Sequence, residues 1–161
     1  MDTLTDTLCL QCGMCCNGVL FADVRPEPGD ASPLFTQHGK RVKQPCPAFN
    51  SSDCTCAIYT ERPMRCRKFE CRQLLGVRAE TIKTEAALKK IKAAHKLVAR
   101  AEFLLGLIGV DDKKLSLKRR FQLCQEFAEE GLLAPKYFST LADLQLAMHK
   151  LTVLLSKDFY A

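Results

Sequence analysis

No stretch of this chain is apolar for long enough to cross a membrane. The longest, Phe103 to Val110, is broken by Gly106 and Gly109 and falls far short of the roughly 18 residues a span needs. Residues 1–8 lack the basic n-region and the apolar h-region of a secretory signal, so a cytoplasmic location without a membrane partner is expected. Phosphate-binding loops of the forms G-x4-G-K-[ST] and G-x-G-x2-G are missing, and the acidic residues form no paired acid and base motif. No catalytic residue can be assigned. Helical periodicity is nearly absent from residues 1–71, which hold Pro26, Pro28, Pro33, Pro45, Pro47 and Pro63, whereas residues 72–161 hold only Pro135 and one cysteine, Cys124. Otherwise the composition, 47% hydrophobic and 26% charged over 161 residues, is that of an ordinary globular chain and excludes disorder.

What the first 71 residues do have is nine of the ten cysteines. They open with Cys9-Leu-Gln-Cys12-Gly-Met-Cys15-Cys16 and continue with Cys46, Cys54, Cys56, Cys66 and Cys71. A disulfide framework needs an oxidising compartment, which the N-terminus does not signal. Burial as a small hydrophobe suits the isolated Cys124 but not four thiols within eight positions. The remaining use is metal ligation, for which C-x2-C-x2-C lets thiolates converge from a short turn. Gly13 frees the backbone to fold back there, so that amides can face the sulfurs. Metal binding would also supply the cohesion that a proline-rich segment without helical periodicity lacks.

Beyond Cys71 the apolar residues recur at spacings of three and four, predicting three helices. The first spans about Ala79–Leu107, with Leu88, Ile91, Val98, Ala101, Leu105 and Ile108 on one side. The second follows Ser116 as N-cap and stops at Gly131. The third starts near Ser139 or Thr140 and frays toward Ala161. The expected fold is mostly α: an irregular cysteine-rich metal-binding half, residues 1–75, packed with a small helical bundle of about three helices, residues 76–161. His95 falls on the apolar side of the first helix and reads as a hydrogen-bonded core histidine rather than a ligand. His149 sits on the polar side of the third, and His38 in a loop.

Charge divides along the same boundary. Acidic and basic residues balance in residues 1–71, and the whole net charge of +6 lies in the helical part. Lys89, Lys92, Lys96 and Arg100 share one face of the first helix, a candidate partner-binding stripe. It lacks interleaved aromatics, and Glu85 precedes Lys89 by four residues, which weighs against nucleic acid and toward a solvated or protein-docking face. Near the cysteines, Arg62, Arg65, Arg67 and Lys68 are placed to balance a four-thiolate centre with a local charge near minus two.

The order Cys-x2-Cys-Gly-x-Cys-Cys, then Cys46-Pro47, then Cys56-Ala-Ile-Tyr59-x2-Arg62-Pro63-x2-Cys66-Arg67-x-Phe69-x-Cys71, resembles the YkgJ-type cysteine-cluster family, described as zinc- or iron-chelating. The resemblance covers residues 9–71 and implies metal-ligand roles for Cys9, Cys12, Cys15, Cys16, Cys46, Cys56, Cys66 and Cys71, leaving Cys54 outside the pattern. Around them Tyr59 and Phe69 offer apolar cover, Pro63 fixes a turn before Cys66, and Arg62 and Arg67 offer hydrogen bonds. Because neighbouring side chains of an extended backbone point apart, Cys15 and Cys16 either serve different centres or leave one thiol unligated. Eight thiolates fill two four-coordinate sites, or one 4Fe-4S site with four thiols over. The C-x2-C-x2-C run with a remote Cys-Pro is similar to ferredoxin-type ligation, and the second C-x2-C knuckle of a zinc ribbon is missing, so an iron-sulfur cluster, 4Fe-4S, is favoured over zinc. A mainly structural centre with a helical scaffold is the leading expectation. A similar cysteine cluster in a flagellin lysine methylase keeps a redox or methyltransferase-like enzyme component as an alternative, and an adaptor using the basic stripe is a second.

Overall fold

The computed structural model describes residues 3–160, with side chains from residue 7 onward. Among these residues the chain forms seven α-helices and two two-stranded antiparallel sheets. Helix α1 (Thr3–Cys12) leads into a turn, then β1 (Asp23–Val24), α2 (Pro33–His38) and β2 (Val42–Lys43), which pairs with β1. Strands β3 (Phe49–Asn50) and β4 (Thr55–Cys56) form the second ladder, with Phe49 opposite Cys56. Two short helices follow, α3 (Met64–Lys68) and α4 (Arg72–Arg78), ahead of α5 (Thr84–Ile108), α6 (Leu117–Glu129) and α7 (Phe138–Asp158).

The mostly α character and the three long helices match expectation, with shifts at their ends. The first begins at Thr84 rather than Ala79, because residues 72–78 make a helix of their own. That helix closes as Ala79 donates to the Leu75 carbonyl and Thr81 and Ile82 donate to Gly76, with Glu80 left-handed at φ 57°. Helix α5 ends on Gly109, whose φ of 89° lets its amide reach Leu105 and Gly106. Ser116 caps α6 as expected, its hydroxyl accepting from the Arg119 amide at 3.3 Å. A 3₁₀ turn at Pro135–Tyr137 leads into α7, which starts at Phe138. Ala161, toward which that helix was expected to fray, lies outside the described residues.

One hydrophobic core takes residues from both compositional halves. Leu8, Met14, Leu20 and Leu74 are buried in the same cluster as Ile91, Leu105, Leu144, Leu151, Leu155 and Phe159. Residues 1–71, for all their lack of helical periodicity, thus contribute to it: α1 and the turn after it add apolar side chains to the helical core. On α5, Ala87, Ala94 and Ala101 recur every seven residues with no exposed surface, and α7 is the most extensive partner of this helix. Cys124 is fully buried in this core, as a lone cysteine among apolar neighbours should be.

The core also holds a charge. Arg120 is 4% exposed and donates to Glu102 at 2.9 Å, while its Nε and Nη1 find no hydrogen-bond partner. Burial works against the Glu102 carboxylate, but Arg120 and Lys113 outweigh it and hold the group below its ordinary range. A depressed carboxyl stabilises the fold above its unfolded pKa, and that contribution disappears as pH falls through the folded value. Glu102→Ala strands the buried guanidinium. Because the glutamate is partly exposed, a loss of about 2 kcal/mol is expected at neutral pH, below the range for fully buried pairs. Urea unfolding of the metal-loaded protein measures it, and the gap between variant and wild type should close on acidification below the carboxylate range.

Candidate metal centre

Cys9 and Cys12 lie one turn apart on α1, and the helix stops at Cys12 because Gly13 turns left-handed at φ 63°. The amide of Gly13 still donates to Cys9, while its carbonyl accepts from Cys16 and Asn17. That double turn returns Cys15 and Cys16 toward the helix. Cys46 arrives from the following segment and donates its amide to the Cys16 carbonyl at 2.8 Å. The β3–β4 ladder sets Cys56 across from Phe49. Cys66 lies within α3, whose first amide, Met64, is held by Asp30 Oδ2 at 2.9 Å. Cys71 precedes α4 as its N-terminal cap residue.

These segments bring all nine cysteines of residues 1–71 to the wall of one cavity of about 720 Å³. Burial pushes the Cys12 thiol up to about 12, with Cys71, Cys9 and Cys54 adding to the rise and the Met14 amide opposing it. Cys15 rises well above its ordinary value, through burial first and then Cys12, Cys16, Cys71 and Cys9. Cys16 reaches about 12 through burial and the thiols of Cys46, Cys66, Cys56 and, last, Cys9. Cys66 reaches about 11 through burial, Cys46 and Cys56, against which Arg62 acts. Cys46 is raised by burial, while the amides of Ala48 and Phe49 hydrogen-bond its sulfur.

Thiols crowded together out of water stay protonated until a cation compensates them, and amides directed at sulfur stabilise the thiolate form. The donor set therefore fits a thiophilic metal or an iron-sulfur core. Arg62 fits it too: the residue lines the cavity, its guanidinium stacks 3.8 Å from the Tyr59 ring centroid, and its buried Nε has no hydrogen-bond partner. Among the described residues no three Cys, His, Asp or Glu side chains are gathered closely enough to hold a single ion.

The surrounding residues divide. Tyr59, Arg62, Pro63, Arg67 and Phe69 all line the cavity, Pro63 being fully buried and Phe69 meeting Phe21 edge-to-face at 4.7 Å. Arg67 donates to the Arg62 carbonyl at 2.8 Å and so braces the backbone of the other arginine. Lys68, expected to balance the thiolates, instead pairs with Glu27 and lies off the cavity wall. Cys54 joins the wall from outside the ligand pattern, close to Gly13. Lys89, Lys92, Lys96 and Arg100 are exposed on α5, away from the cavity, and Arg100 is 3.4 Å from Asp143 of α7.

His95 is a hydrogen-bonded histidine, as expected. Its Nε2 lies 2.7 Å from the Cys12 carbonyl, which can only accept, so that nitrogen carries the hydrogen. Asp30 escaped the sequence reading. Its role at α3 joins residues 34 positions apart, and only the local Gly29-Asp30 turn chemistry is visible in one dimension.

The model of the CxxCxxCC family, described as "Putative zinc- or iron-chelating domain", matches residues 8–96, more than half of the chain. The chain belongs to that family. The CxxCxxCC match starts inside α1 and ends inside α5, so it takes in every segment that builds the cavity together with the helix behind it. It supports metal chelation by zinc or iron. No curated protein and no solved structure matches the chain.

Proposed function

We propose that the cavity is a thiolate metal centre with Cys9, Cys12, Cys15, Cys16, Cys46, Cys56, Cys66 and Cys71 as ligands, that it holds iron-sulfur rather than zinc, and that its role is mainly structural. The observation that carries this reading is the convergence of nine thiols from five separate segments on the wall of one cavity. An iron-sulfur core supplies cohesion to a region whose own strands are two residues long, along with a site for one-electron chemistry. The protein's own groups then have plain tasks. The Met14, Ala48 and Phe49 amides donate to sulfur, Arg62 offsets negative charge beside Cys66, and Phe69 with Tyr59 limits water. On this reading residues 1–75 are the metal-binding unit and residues 76–161 its scaffold.

Iron, zinc and acid-labile sulfide measured on anaerobically purified protein, with the visible spectrum, test it. Stoichiometric iron and sulfide with a broad charge-transfer band are expected. Zinc without sulfide in colourless protein overturns the iron-sulfur assignment, and protein devoid of metal overturns the whole reading.

A further inference from the structure

We propose that the cavity contains two four-thiolate centres side by side, one on Cys9, Cys12, Cys15 and Cys71 and the other on Cys16, Cys46, Cys56 and Cys66, with Cys54 in neither. This rests on the metal-centre reading above and divides its ligands.

The backbone makes the division. Cys9 and Cys12 share one face of α1, the Gly13 turn swings Cys15 back beside them, and Cys71 stands at the start of α4, which packs on α1. The other four belong to a different framework. Cys46 is hydrogen-bonded to the Cys16 carbonyl at 2.8 Å, and the Phe49 amide closes a turn on the Cys46 carbonyl at 3.0 Å. Phe49 then pairs with Cys56 across the β3–β4 ladder, and the chain runs through the Tyr59–Glu61 turn to Cys66 in α3. The cut between the sets falls between adjacent residues, Cys15 and Cys16.

Proximity of the sulfurs agrees with the backbone. Apart from its chain neighbour, the thiols that bear on Cys15 are Cys12, Cys71 and Cys9, while those that bear most on Cys16 are Cys46, Cys66 and Cys56. Cys66 senses Cys46 and Cys56, and Cys46 senses Cys56. Across the cut, Cys9 acts on Cys16, behind Cys46, Cys66 and Cys56. Two sets of four supply the four thiolates that each of two cubane clusters requires. Cys54 approaches the first set through Cys12 and Gly13 and is left as a spare thiol.

Metal and sulfide are counted on the full chain of wild type, Cys12→Ser, Cys46→Ser and Cys54→Ser. Wild type is expected to hold two centres per chain, the Cys12 and Cys46 variants about half of the metal each, and the Cys54 variant all of it. Should a serine variant fail to accumulate, wild-type protein stripped to half occupancy with chelator is alkylated under native conditions and mapped by mass spectrometry. Apart from the spare Cys54, labels on any one molecule should then fall together on one set of four. One centre per chain, labels scattered across both sets, or halved metal in the Cys54 variant overturns the partition while leaving a metal centre in place. A wild-type chain without metal overturns the underlying reading itself.

Discussion

Removing the metal with a chelator under reducing, anaerobic conditions is expected to melt the cysteine framework while leaving α5 and α7 helical. The apparent binding free energy of a structural thiolate metal is roughly 10–16 kcal/mol, comparable with the 5–15 kcal/mol of a whole domain's stability. Around the cavity there is little to replace it. The two ladders have two residues per strand, and α3 is five residues long, so backbone hydrogen bonding there is thin. By contrast, α5 and α7 are 25 and 21 residues long and share a buried apolar face. Hydrogen exchange read by mass spectrometry should show residues 13–71 losing nearly all protection and residues 91–105 and 144–155 keeping most of theirs. Equal protection in both forms would sink the idea that metal supplies the fold of this half. Rebinding has a pH signature as well. In the melted framework the thiols are no longer buried and titrate near the ordinary cysteine value of about 8.5, so most carry protons at neutral pH and ligation expels them. Affinity should therefore climb with pH across the neutral and mildly alkaline range.

Gly13→Ala should damage both the packing and the metal site of the N-terminal half. At φ 63° an L side chain is strained, and a Cβ placed there would stand 3.0 Å from Phe49 Cζ and 3.1 Å from Cys54 Sγ. The left-handed conformation costs about 1–2 kcal/mol and the overpacking about 1–3 more. The error also falls between Cys12 and Cys15, where displaced sulfurs lose metal as well as packing. Gly29→Ala is the control. Its φ is 82° but nothing lies within 4 Å of the added carbon, so it should show the strain without the clash. Thermal melts and metal content of the two variants separate the terms. If Gly13→Ala melts with Gly29→Ala and keeps its metal, the close approach of Phe49 and Cys54 has no energetic weight.

How far the fold could be read from sequence depended on whether local pattern carried it. The period of Ile91, Ala101, Leu105 and, later, Leu144, Met148 and Leu155 marks one helical face, and the Ser116 cap is a local signal. Helix α1 leaves no such trace. Of its side chains described, only Leu8 is buried among apolar neighbours while Leu10 is exposed, and its other inward-facing positions are cysteines, which register as ligands. Sequence puts the start of the first long helix near Ala79 because Arg72–Arg78 is helical too, and the break between the two, residues 79–83 with the left-handed Glu80, has no strong local signal. At the site, the thiols and the arginine beside them stand out by type and spacing. The Asp30 contact to Met64, the His95 contact to Cys12 and the meeting of Phe49 with Gly13 link segments far apart in the chain, and no short-range pattern encodes them.

Arg72 and Gln73, next to Cys71, donate to the carbonyls of Lys157, Asp158 and Phe159 at the end of α7. The Arg72 side chain reaches a partner 85 positions later. A ribosome adding about 5–20 residues per second takes on the order of ten seconds to cover that distance. During that interval every cysteine of the framework has been synthesised, and the helix that fastens the last of them has not. Metal delivered in that window meets the thiols before α7 can fasten Arg72 and Gln73. The order of synthesis thus leaves an interval in which all the thiols exist and the contacts that α7 makes to Arg72 and Gln73 do not.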